Sequence, residues 1–278
     1  MLRDLIIKTQ TETLNSMKTK THNNSTQPDF YYYSQYEELG HVRDIIVRDL
    51  KCKTGSQILD VGTGNGLFAF ALARAIPKAQ ILGLDIVKEN VRDSVRRAII
   101  ENLNDACKFA CNNFLHVRLT ENYFDAITFF LSLSDLLRWT TLEETLQRVS
   151  VLLKDSGKLV ICEEFPEDAE NEQQALGFAL NNTLGYRYCS KQKIVTALKD
   201  MGMVVDSIST YRTGRPPLNS LGVQDFIKDE CFFCTLDGSP VSPWQEIWQE
   251  FEPLVNSLGS IEIDAKISVI EASKPIRY

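Results

Sequence analysis

Apolar positions along this chain alternate between two textures. Short, nearly continuous apolar runs at 57–61, 80–86, 106–111, 125–131, 157–163, 203–209 and 263–271 predict strands. Between them, apolar residues at three- and four-residue spacing predict helices over about 66–76, 88–102, 141–153 and 191–201. A further helix over 39–50 precedes the first strand, with Val42, Ile45, Ile46 and Leu50 on one face. Strands that are apolar throughout need both faces covered, so the pattern predicts an α/β fold: a doubly wound, mostly parallel sheet with helices on both sides. Gly202, just after Met201, is placed to cap the last of these helices.

Two stretches break the alternation. Residues 1–29 are polar, rich in Thr, Asn, Gln and Lys, and a tyrosine cluster (31–33 and 36) follows them. They read as a weak helix over 2–19 and a linker, an N-terminal extension with the tyrosines available as a lid. The other stretch, 211–260, opens with Thr213-Gly-Arg-Pro-Pro217 and places Trp244, Ile247, Trp248, Phe251, Leu254 and Val255 on one helix face. It reads as a cap, as an interface through which two copies could form a homodimer, or as a helix docked on the core. The organisation expected is therefore an extension over 1–35, a core over 36–210, an insertion over 211–260, and a final strand within 261–278 that completes the sheet.

Composition narrows the function classes. The chain is 44% apolar and 24% charged, with a net charge of −7, which supplies a core but no general surface for nucleic-acid phosphates. Residues 1–8 lack the apolar stretch of a secretory signal, and no run approaches the roughly 18 apolar residues of a membrane span. A cytoplasmic protein without a membrane partner is expected. The seven cysteines are scattered, as reduced thiols are. Cys231 and Cys234 have the spacing of a metal or redox pair, but with no second pair and only three histidines in the chain, packing is the better reading and no metal is predicted.

The chemistry concentrates in Ile58-Leu-Asp-Val-Gly-Thr-Gly-Asn-Gly66, which joins the first strand to a helix. Its glycines permit a tight turn and close ligand approach, and the helix start offers free N–H groups. The second strand ends in Asp85, a carboxylate placed to accept both hydroxyls of an adenosine ribose. A dinucleotide fingerprint reads G-x-G-x-x-G. Here the third glycine comes one residue early, and Asp60 brings a charge that repels a pyrophosphate and suits a cationic ligand.

An acidic residue followed by G-x-G-x-G resembles the first motif of the class I methyltransferases, a resemblance that covers about residues 37–210. It implies a seven-stranded sheet with an antiparallel last strand, and S-adenosyl-L-methionine as cofactor. It also implies that Asp60, Gly62, Thr63 and Gly64 form the methionine-binding turn, that Asp85 binds the ribose, and that Ile86 packs beside adenine. Asn112 or Asn113 stands where relatives contact the adenine amino group, with Phe114 against the ring and Tyr36 closing over the cofactor.

In open α/β sheets the acceptor sits at the carboxyl ends of the strands. Asp135 after the fourth strand and Glu163 after the fifth are thus candidate proton acceptors for an in-line methyl transfer. Both can equally be surface or capping groups. From Leu159 to Tyr186 there is no Lys or Arg but there are six acidic residues, which reads as a solvated loop or as an attractor of an amine-bearing substrate. The expected function is methylation of a small molecule. The alternatives are a protein methyltransferase, a non-catalytic partner subunit that keeps the fold, and an NAD enzyme disfavoured by the glycine spacing.

Overall fold

A computed structural model describes residues 39–276. Tyr36, the tyrosine cluster and the N-terminal extension lie outside the described residues.

The elements follow the alternation read from the chain. Helix α1 (Gly40–Asp49) leads to β1 (Gln57–Val61), α2 (Leu67–Ala75), β2 (Gln80–Asp85), α3 (Lys88–Ile100), β3 (Cys107–Cys111) and β4 (Phe124–Phe130). A short helix α4 (Leu133–Leu136) and then α5 (Leu142–Leu152) precede β5 (Leu153–Glu163). Next come α6 (Glu172–Thr183), α7 (Lys191–Asp200), β6 (Val204–Arg212), α8 (Ser220–Asp237), α9 (Trp244–Leu258) and β7 (Lys266–Ser273).

The strands form one seven-stranded sheet in the order β3-β2-β1-β4-β5-β7-β6, with β7 antiparallel to both neighbours and the other pairs parallel. Alternation along β1 explains why its run is apolar. Ile58 packs against α1, α2 and α3 on one face, while Leu59 and Val61 pack with α5 and α7 on the other. Within α5 the buried positions Leu142, Leu146 and Val149 recur at helical spacing, and a capping box between Thr141 and Glu144 satisfies its first N–H groups. Such a cap contributes about 1 kcal/mol. Gly202 has φ +76 just beyond α7, the left-handed residue expected there.

The structure departs from the sequence reading in the acidic stretch and the insertion. Residues 172–183 are helix α6, not loop, and α6 packs with α8 and α9 around a third core of Leu180, Val223, Phe226, Ile247, Phe251 and Val255. Ile247, Trp248, Phe251 and Val255 of the α9 stripe are thus buried within the chain, while Leu254 is exposed. The cap draws on two separate segments, one of them inside the stretch read as core. The acidic residues are mostly spent on neighbours: Asp168 pairs with Lys191 at 2.5 Å, Glu170 with Lys266 at 2.7 Å, and Glu163 and Glu164 are buried. No helix among the described residues is long and apolar enough to cross a membrane.

Candidate functional site

The turn after β1 is held from three sides. Asp60 is 1% exposed and accepts the hydroxyls of Thr63 and Thr128, each at 2.7 Å. Burial lifts its carboxyl to about 6 against those two donors. The Thr63 N–H reaches back to the Leu84 carbonyl at 2.9 Å, and the Ser132 hydroxyl donates to the Val61 carbonyl at 2.7 Å. Gly62 has φ +67, and a Cβ there would come within 2.5 Å of the Ser132 Cβ. Gly64 has φ +55, yet a Cβ there would meet nothing within 4 Å. Its open face borders a cavity of about 550 Å³, a size typical of small-molecule sites.

At the floor of that cavity Asp85 accepts the Gly64 N–H and the Val87 N–H, both at 2.8 Å, one on each carboxylate oxygen. A carboxylate has about four lone-pair sites, so it can accept from a ligand hydroxyl beside these N–H groups. Burial raises the Asp85 carboxyl pKa, opposed by the Val87 and Gly64 N–H groups and the Asn90 amide. Ile86, 44% exposed despite being large and apolar, lines the same cavity.

Asn112 and Asn113 also line it, with their side-chain carbonyls turned to the backbone: Asn112 accepts its neighbour's N–H at 3.0 Å and Asn113 accepts the Leu115 N–H at 2.8 Å. Phe114 is 3% exposed, edge-on to Phe129 with ring centres 5.9 Å apart, and contributes to the wall.

The two candidate proton acceptors part company. Asp135 faces the cavity, with 46% of its side chain open to it, and pairs with Arg138 at 3.0 Å. Desolvation by the surrounding walls lifts its carboxyl to about 6, although Arg138 pulls it down. Glu163 does not line this cavity. Its carboxylate accepts the N–H groups of Leu133 at 3.0 Å and Ser134 at 3.1 Å, capping the start of α4, and burial pushes it up to about 7.

Several groups in the wall carry no local signature in the chain. Asn65 lines the cavity beside the glycine turn, and its Nδ2 is buried with no hydrogen-bond partner among the described residues. From the cap, α8 contributes Glu230, Phe233, Cys234 and Asp237. Arg138 ties cap to core: it stacks 4.5 Å from the Tyr186 ring centre and donates to the Ser239 hydroxyl at 3.2 Å. Tyr186 in turn donates its hydroxyl to Glu230 at 2.7 Å. Cys231 and Cys234 are free thiols on α8, and no group of three or more His, Cys, Asp or Glu among the described residues is placed to hold a metal.

A sheet of this order with a glycine turn over a strand-end carboxylate defines the class I methyltransferase fold, built to bind a nucleoside-bearing cofactor. Residues 52–211, more than half of the chain, match the family described as methyltransferase domain, and the chain belongs to that family.

Among curated proteins it is similar to a demethylmenaquinone methyltransferase of Bacteroides fragilis, 27% identical over 137 residues, covering 46% of this chain and 55% of that one. The chain thus spans about half the length of the curated relatives it matches. Among solved structures, the [4+2]-cyclase SpnF shares the fold with a TM-score of 0.61 at 17% identity, covering 97% of this chain and 93% of that one. A geranyl diphosphate C-methyltransferase from Streptomyces coelicolor, bound to S-adenosyl-L-homocysteine, shares it with a TM-score of 0.56 at 15% identity, over 90% of this chain and 83% of that one.

Proposed function

We propose that the protein is an S-adenosyl-L-methionine-dependent methyltransferase acting on a small-molecule acceptor. The observation that carries this is the pairing of Asp85 with the open face of Gly64, beside the unpartnered amide of Asn65. Asp85 suits two ribose hydroxyls, the bare glycine admits a ligand against the backbone, and the Asn65 Nδ2 suits a carboxylate. Ile86 and Phe114 offer apolar surface for adenine, and Asn112 and Asn113 keep free amide N–H groups near its edge. Asp60 acts through Thr63, fixing the turn. These residues fit the cofactor and do not suit a pyrophosphate. One neighbour of the same fold is named a cyclase, so the argument rests on this turn and not on the fold.

The cofactor supplies a methyl group on a positively charged sulfur. With the acceptor in line with that group, the Asp135 carboxylate would take the acceptor's proton, if it has one. Arg138 holds that carboxylate in place. The lining carries five carboxylates (Asp60, Asp85, Asp135, Glu230 and Asp237) against two arginines, Arg43 and Arg138. Such a field favours a cationic cofactor and a neutral or amine-bearing acceptor over a phosphorylated one. The cap over the cavity supports a small acceptor over a protein one.

Calorimetric titration with S-adenosyl-L-methionine, S-adenosyl-L-homocysteine and NAD tests the reading. Binding of the first two is expected. Binding of NAD alone, or of none, would overturn it.

A further inference from the structure

Leu131, Tyr186 and Glu230 form a wall shared by the main cavity and a second, smaller space of about 20 Å³. The other polar walls of this recess are Ser134, Glu163, Glu164, Asn181, Tyr188 and Asp264. Four carboxyl groups, Glu163, Glu164, Glu230 and Asp264, face it together. Glu163 takes backbone N–H groups, and burial lifts its carboxyl to about 7. Glu230 takes the Tyr186 hydroxyl. Glu164 and Asp264 are hydrogen-bonded to each other, and Arg215 pairs with Asp264.

The decisive observation is Asn181. It is 5% exposed and gives its Nδ2 to the Tyr188 hydroxyl at 2.9 Å, while its Oδ1 has no hydrogen-bond partner among the described residues. A buried acceptor without a donor costs about 1–3 kcal/mol. The recess is complete only when a donor enters it. Its volume admits one water-sized group. A water would satisfy Asn181 and leave the crowded carboxyls holding their protons, whereas a primary ammonium brings three N–H donors and, in the same volume, a positive charge beside which those carboxyls can ionise.

We propose that this recess takes the primary ammonium group of the acceptor molecule as an anchor, orienting the rest of that molecule in the main cavity. The ammonium is not the atom methylated, because Glu163 and Asn181 do not line the cofactor cavity. The inference rests on the methyltransferase reading of the main cavity, and names the substrate class as one bearing a primary amine away from the reacting atom.

The test uses the full chain saturated with S-adenosyl-L-homocysteine at about pH 8, above the ordinary range of carboxyl groups. Three probes are titrated at constant ionic strength: ethylammonium, the neutral n-propanol, and the bulkier ethyltrimethylammonium. Ethylammonium alone is expected to bind and to raise the melting temperature. Glu230→Gln, which keeps the shape and an acceptor for Tyr186, should weaken it by about tenfold or more. Glu230→Lys, whose own ammonium would fill the space, should abolish it. An unchanged far-ultraviolet circular dichroism spectrum and a cooperative melt certify that each variant is folded.

Equal binding of n-propanol or ethyltrimethylammonium, an unchanged ethylammonium affinity in Glu230→Gln, or no ethylammonium effect would each overturn the anchor. If S-adenosyl-L-homocysteine itself fails to bind the wild type, the methyltransferase reading fails first.

Discussion

Gly64→Ala separates what the turn does for the fold from what it does for the ligand. With φ +55 and nothing within 4 Å of the added methyl, the substitution costs backbone strain and no clash. A left-handed alanine costs about 1–2 kcal/mol. In a chain of this size each kcal/mol lowers the melting temperature by about 2–4 °C, so a fall of about 2–8 °C is expected. Gly202→Ala is the matched control: φ +76, again nothing within 4 Å, and at the end of α7 away from the cavity. The two variants should melt alike.

Only Gly64→Ala should lose ligand, because its methyl occupies the space through which the cofactor meets the backbone. A drop of at least about tenfold in S-adenosyl-L-homocysteine affinity, or about 1.4 kcal/mol, is the minimum expected by calorimetry. If Gly64→Ala binds as tightly as Gly202→Ala, the open face of Gly64 is not the cofactor's seat.

Asp85→Asn should weaken S-adenosyl-L-homocysteine by about tenfold or more and also lower the melting temperature by several degrees, since its NH2 group meets one of the two backbone N–H donors that the carboxylate accepts. Equal affinity by calorimetry would remove Asp85 from the ligand. Asp135→Asn should lower kcat for an acceptor that loses a proton and leave cofactor affinity intact. In the wild type kcat should rise through about pH 6 as this carboxyl ionises, and a pH-independent rate would exclude it as the base.

Glu163 has its folded pKa raised to about 7 from 4.5, so the folded state holds its proton more tightly than the unfolded chain. Its contribution to stability is therefore full below about pH 4.5 and is lost as pH rises through about 7. Calorimetric unfolding should show Glu163→Gln losing less stability than wild type between those limits, and parallel curves would refute the assignment.

The sheet was legible because its central strands are buried on both faces: 57–61 is the strand Gln57–Val61 itself, and the others, including the exposed edge strand β6, lie within a few residues of their runs. Strand β5 starts earlier than its apolar run, at Leu153, which pairs with Phe124 before an irregularity in register. The helices overlooked are those whose inner faces are not simply apolar. Helix α6 buries Gln174, Gly177 and Asn181, and a Cβ on Gly177 would fall 2.3 Å from the Glu262 carbonyl oxygen. Helix α8 buries Glu230 and exposes Leu221 and Phe232, which blurs its stripe.

The cofactor turn was visible because its residues are contiguous. Tyr186, Glu230 and Asp237 reach the cavity only through the fold, and no local spacing announces them. Asp135 and Glu163 looked equivalent because both follow strands, and only packing turns one outward and the other against a helix start.

The insertion leaves the sheet after Arg212 and returns at Lys266, and these two residues are register partners whose side chains both reach Glu170. Its ends are thus already joined, so exchanging what lies between 213 and 265 changes the loop-closure cost only slowly with length. The segment is thus anchored at one corner of the sheet, and among the described residues its other large apolar seat is the core it shares with α6. Under the proposed function, length and sequence there can vary, changing the acceptor side of the cavity, while the turn over Asp85 is left untouched.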